Sequence, residues 1–173
     1  MSRIRARLPY TCGDVVFSGP AIEIRYNSGL RDTAGNPAHA ATFIRRRLIV
    51  LDEALRRQAS EHARILAHEI FHFVWVRLGN PGRLEWEAAL RRELAGRVPG
   101  EAGWSAEWRK LRLERRDIRL RTRAWREYCC ESFCDTAAVW LTRRRTEATL
   151  PARVLHARFT WLAAMVPSAG LPI

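Results

Sequence analysis

The sequence predicts an α+β fold: a small, mostly antiparallel sheet packed on one long helix, followed by a mainly helical C-terminal part. Three observations predict it. Alternation of apolar and polar residues at period two is confined to the first 52 residues. Helical periodicity takes over from about residue 53 and runs nearly to the end. An apolar content of 47% with seven Trp is that of a chain that packs a core. The 173 residues suit a single domain, 1–173, with a strand-rich part at 1–52 and a helical part at 53–173.

Residues 14–26, DVVFSGPAIEIRY, read as two strands around a Ser-Gly-Pro turn. Ile22, Ile24 and Tyr26 alternate with Glu23 and Arg25, as on a half-buried strand. Residues 27–41 are a loop by their Gly, Asn and Pro content. A further strand covers about 43–51, FIRRRLIVL, and ends at Asp52. A short turn near 53–58 leads into a helix from about Ser60 to Leu78, which Gly79-Asn80-Pro81-Gly82 closes. Within it, Ile70 to Val76 has the composition of a buried strand. Length decides for a helix, because the run lies inside a helical stretch of about 19 residues.

Residues 83–95 form another helix, followed by the breaker stretch RVPGEAG. Trp104, Trp108, Leu111, Ile118 and Trp125 then recur at helical spacing, with nine basic residues between 109 and 126. The favoured reading is an amphipathic helix with a solvated basic face, and the alternative is a helix that faces nucleic acid. Residues 124–142 are helical and apolar on most sides, and Thr149 to Val166 is a last helix with Pro151 in its first turn.

The formal charge is +12, carried almost wholly by Arg, since Lys110 is the only lysine. Such a charge raises the prospect of an acidic partner, nucleic acid above all. An Arg-for-Lys bias is also what a GC-rich coding sequence yields, so nucleic acid is not the favoured partner. No run approaches the ~18 apolar residues of a membrane span, and the N-terminus lacks the apolar segment of a secretion signal. Cys12, Cys129, Cys130 and Cys134 make no disulfide framework and suit reduced thiols. The expectation is a cytoplasmic protein without membrane contact.

The stretch LAHEIFHFVWV, 66–76, sets two imidazoles and a carboxylate in an almost unbroken apolar run. Burying such groups without partners is costly. On a helix, His68 and His72 share a face and can address one ion. Glu69 lies beside them and can act as a general base on a metal-activated water without being a ligand. A hydrogen-bonded core network is the alternative reading. Trp75 and Leu78 stand where a HExxHxxGxxH pattern requires Gly and His, which excludes that pattern.

A third protein ligand is sought downstream, on an apolar helix. Residues 127–141, EYCCESFCDTAAVWL, supply Glu131 with Asp135 four residues later, the only Glu so followed by Asp. Glu131 can bind the ion while Asp135 accepts a hydrogen bond from a ligand imidazole. Glu127, and Cys130 with Cys134 as a thiolate pair, are the rivals.

HExxH followed by ExxxD, here His68 to His72 and Glu131 to Asp135, resembles the gluzincin metallopeptidases, and most their compact form, the minigluzincins. The likeness spans roughly residues 42–142 in layout. It implies that His68, His72 and Glu131 ligate Zn2+, that Glu69 is base and proton shuttle, and that Asp135 orients His68. It also implies that the 43–51 strand receives a peptide or protein substrate at its edge. The two motifs lie 59 residues apart, from His72 to Glu131, a longer gap than in the smallest members, filled by the Trp- and Arg-rich segment. His156, Tyr128 and Arg126 are the candidates for stabilising an oxyanion. The expected function is a zinc-dependent metallopeptidase. The alternative is a basic module binding nucleic acid or protein, its zinc site structural or degenerate.

Overall fold

The computed structural model describes residues 15–32, 35–145, 148–166 and 170–173, so Cys12 and Asp14 lie outside the described residues. Among the described residues there are five strands: β1 (Phe17–Ser18), β2 (Glu23–Asn27), β3 (Ala40–Phe43), β4 (Leu48–Asp52) and β5 (Leu171–Pro172). Among the described residues six α-helices follow β4: α1 (Ala59–Arg77), α2 (Gly79–Ala95), α3 (Trp104–Lys110), α4 (Arg115–Leu120), α5 (Arg123–Thr142) and α6 (Ala152–Met165). The α+β fold with a helical C-terminal part is as expected.

The main sheet has the order β2-β4-β3. Leu48 to Leu51 are all buried, which is why this segment reads as an unbroken apolar run with no alternation. The pairing is mixed rather than mostly antiparallel. β4 runs parallel to β2 and antiparallel to β3, and β1 pairs in parallel with β5 from the far end of the chain. The long connection after β2 sets β3 down one strand-width away, and β4 turns back into the gap. That makes β2 and β4 point the same way.

The expected 43–51 strand is divided. Ile44–Arg46 is a single 3-10 turn closed by Arg47 at φ 49°, so this stretch is the hairpin between β3 and β4. β3 itself begins in residues expected to be loop, Ala40 and Ala41, and ends at Phe43, where the expected strand starts. The Gly-Asn-Pro-Gly stop holds as the end of α1, but α2 begins at once. Gly79 takes φ 74°, and Pro81 sits in the first turn of α2, where a missing N–H costs no hydrogen bond.

The single basic helix expected from Trp104 to Trp125 is broken into α3, α4 and the start of α5. Glu114 and Asp117 cap α4 reciprocally, and Arg121 takes a left-handed conformation before Thr122 begins α5. Neither break uses Gly or Pro. The apolar residues do not share one face: Trp125 is fully buried, while Trp104 and Leu111 are 68% and 79% exposed.

α5 is the centre of the helical part, and α1 packs along it. Phe71 on α1 meets Phe133 on α5, which also meets Trp86 on α2 and Trp161 on α6. A polar network is buried beside this core. Glu101 accepts hydrogen bonds from the Tyr128 hydroxyl at 2.5 Å, from Ser132, and from both terminal nitrogens of Arg158 at 2.7 and 3.1 Å. Arg158 also pairs with Glu93, and Lys110 Nζ, 3.7 Å from Glu101, donates to the carbonyls of Val98 and Gly100. The network ties the segment before α3 to α5 and α6, and so fixes where α3 starts. Among the described residues no helix is long and apolar enough to cross a membrane.

Candidate metal centre

His68, Glu69 and His72 lie in the middle of α1, on the side facing α5 and β3. Their neighbours Ala67, Ile70, Phe71, Phe73 and Val74 are buried, which holds the helix in register. The two imidazole rings sit 5.0 Å apart, centre to centre. Glu131 enters from α5. His68, His72 and Glu131 offer three ligand atoms within 4.8 Å of one another, a group that could hold a metal ion. Glu131 Oε2 is 3.3 Å from His68 Nε2. A tetrahedral ion bound at about 2.0–2.1 Å by nitrogen and oxygen spaces two such ligands about 3.3–3.4 Å apart, so this edge, also the length of a direct hydrogen bond, is compatible with zinc.

Each of these groups is oriented by a second one. His68 Nδ1 contacts Asp135 Oδ1 at 2.8 Å, and Asp135 Oδ2 accepts from the backbone N–H of Ala106 at 2.9 Å. This is how a carboxylate fixes the tautomer of a ligand histidine. The backbone of α3 comes so close to Asp135 that a Cβ on Gly103 would stand 2.6 Å from the Asp135 carboxyl carbon. Any side chain there would have to displace the Asp135 carboxylate. Ser105 Oγ donates to Glu131 Oε2 at 2.6 Å, and Arg109, held by Ser105, lies 3.5 Å from Glu131 Oε1. Glu69 Oε2 accepts from Thr42 Oγ1 of β3 at 2.6 Å. His72 Nδ1 faces the thiols of Cys130 and Cys134 at 3.4 and 3.5 Å, so its other ring nitrogen points away from them.

The electrostatics favour positive charge between these side chains. Burial alone would depress His68, but Asp135 and Glu131 raise it well above the usual imidazole range. His72 is likewise raised, burial being outweighed by Cys130. Burial would raise Glu131, but His68, His72 and Arg109 hold it far below the ordinary carboxylate range. The Cys134 thiol beside Cys130 is the main cause holding Cys130 down to about 6, and burial pushes Cys134 up.

The cluster opens onto a cleft of about 470 Å³ between β3 and the start of α3, lined by Ala40, Thr42 and Ile44 on one side and Ser105 on the other. β4 is paired on both sides, so it cannot receive a peptide; the sheet edge at the cleft is β3. Glu127 is exposed and paired with Arg123 at 2.6 Å, away from the cluster. None of the three residues considered for an oxyanion lines the cleft. Tyr128 is buried on Glu101, Arg126 is exposed and donates to the carbonyl of Arg121, and His156 is exposed on α6.

Sequence reasoning missed Thr42, Gly103, Ser105 and Ala106. Thr42 lies next to a segment that reads as loop, and the Ala106 contact is through its backbone. Gly103 before Trp104-Ser105 was the one available sign. No protein-family model, no curated protein and no solved structure matches the chain.

Proposed function

We propose that this protein is a zinc-dependent metallopeptidase of gluzincin type. The observation that carries it is the open three-ligand cluster of His68, His72 and Glu131 with a carboxylate, Glu69, beside it that is not needed as a ligand. A closed structural site uses four protein ligands, whereas a hydrolytic one keeps a position free. When bound, zinc would supply a water of lowered pKa and polarise the scissile carbonyl.

The chain's own residues account for the rest. Thr42 occupies one oxygen of Glu69, which leaves the other to take the proton of the attacking water and to pass it to the leaving amine. Asp135 holds His68 through Nδ1, and Ser105 and Arg109 keep the Glu131 carboxylate fixed and charged. A peptide in the cleft would add to the free edge of β3, pairing its backbone with Ala40 to Thr42. Zinc content near one ion per chain, with cleavage of peptides in the cytoplasm's reducing conditions, is the expected result. Protein purified without chelator that holds no zinc and takes none up would overturn the reading.

One observation favours the second reading, a basic binding module. Trp104, Trp108 and Leu111 are exposed on and just after α3, and Arg112 stacks over Trp108 at 3.9 Å. Arg and aromatic side chains interleaved in this way suit stacking on bases. Salt-dependent binding of single-stranded DNA by a protein that hydrolyses no peptide would support it.

A further inference from the structure

The second face of His72 carries a group that the peptidase chemistry does not use. Cys130 and Cys134, one turn apart on α5, bring both sulfurs against His72 Nδ1, at 3.4 and 3.5 Å. The three ligand atoms lie within 4.8 Å of one another. Zinc-like bond lengths of about 2.3 Å to sulfur and 2.0 Å to nitrogen place S and N about 3.5 Å apart around a tetrahedral ion. Both observed edges have that length. Both thiols lie within hydrogen-bond reach of the same nitrogen, the convergence that a bound ion would also need. Cys129, their neighbour in sequence, is also buried but joins no such group among the described residues.

We propose that His72, Cys130 and Cys134 form a second metal subsite, selective for a soft, thiophilic cation, on the opposite ring nitrogen from the open cluster. Two thiolates and one imidazole nitrogen suit ions such as Cd2+ or Cu+ over Mg2+ or Ca2+. The subsite shares His72 with the open cluster and no other ligand. Filling it releases to solvent the Nδ1 proton of His72 and whichever protons the two thiols still carry, so that His72 becomes an imidazolate between two ions. Cys130 lines the cleft, which gives the ion a way in, while Cys134 is buried behind it. An ion there draws electron density from His72 and adds charge beside the cleft, so the expected consequence is inhibition.

The test uses full-length protein carrying one equivalent of zinc, kept reduced by a non-thiol reductant and titrated with Cd2+ alone. The expected result is uptake of one further ion with the zinc retained, growth of a sulfur-to-cadmium charge-transfer band in the near ultraviolet, and proton release. Cys130→Ser and Cys134→Ser should each lose most of that band and keep the zinc. Because a serine at the buried Cys134 risks misfolding, alkylation of the unmutated protein gives a second readout. Cadmium should protect Cys130 from alkylation, as mapped by mass spectrometry.

His68→Ala should abolish zinc at the open cluster and preserve the cadmium band, which separates this subsite from the peptidase reading. No charge-transfer band, a band unchanged in both serine variants, or Cys130 alkylated equally with and without cadmium would each overturn the proposal.

Discussion

Thr42 Oγ1 donates to Glu69 Oε2 at 2.6 Å, and this one bond joins the free sheet edge to the side chain assigned as base. The strand that would hold a substrate backbone also aims the group that would take a proton beside it. Thr42→Val keeps the shape and removes the donor. A hydrogen bond to a charged group contributes about 1.5–3 kcal/mol. We expect kcat to fall about 10- to 100-fold with zinc content unchanged, as measured by steady-state kinetics and metal analysis. An unaltered kcat would mean that Glu69 is aimed by something else.

Glu69→Gln removes the base while keeping its shape. Zinc and the fold should be retained, and peptide hydrolysis should fall by about 10²- to 10⁴-fold, the usual contribution of a positioned general base. Equal cleavage by variant and parent, with contaminating protease excluded, would move the assignment to the binding-module reading.

Glu131 and Asp135 should separate cleanly. Glu131→Gln replaces a charged ligand with a weaker neutral one, so zinc should be largely lost. Asp135→Asn alters only the group that orients His68, and a loss of about 10- to 100-fold in zinc affinity is expected. Gly103→Ala should resemble Asp135→Asn, because its Cβ would displace the same carboxylate. Zinc competition with a chromogenic chelator measures all three. If Asp135→Asn abolishes binding and Glu131→Gln does not, the two roles are exchanged.

Acid should weaken the fold through Glu101. Burial alone would raise its pKa, but Arg158, Tyr128 and Lys110 hold it below its ordinary value of 4.5. A carboxyl depressed in the folded state binds fewer protons there than in the unfolded chain. Its stabilisation is therefore complete above about pH 4.5 and lost as pH falls through the depressed folded value. Glu101→Gln should cost about 3–5 kcal/mol at pH 7, because Arg158 loses a buried partner. The deficit should shrink on acidification below pH 4.5. Urea unfolding of metal-free protein at both pH values checks this, and a deficit independent of pH would refute it.

The parts of the site that sit on helices were legible in the sequence, because i,i+4 spacing places side chains by itself. His68, His72, Glu131 and Asp135 need only two helices and their apolar faces to converge. What was not legible depends on long-range packing. Thr42 was hidden because β3 is short and follows a Gly- and Pro-rich stretch, so its strand character comes from pairing with β4 and not from its own residues. Glu101 stands in a run of loop formers, and nothing local shows that Arg158, 57 residues on, will neutralise it. The breaks on either side of α4 were missed because charged side chains and a left-handed Arg121 end the helices there, where Gly or Pro usually marks a stop. β5, two residues including a proline, had no periodicity to read.

Lys110 is the only lysine in the chain, and its amine is turned inward on two carbonyls and Glu101. Burial lowers its pKa, although Glu101 opposes this. A protein with a strongly cationic surface therefore offers lysine-directed chemistry a single acceptor, and that one is engaged in holding the start of α3. Acetylation, ubiquitin transfer through a lysine side chain, and amine-reactive cross-linkers would have to unpick the Glu101 network to reach it. Arginine keeps the surface charge without offering such a handle.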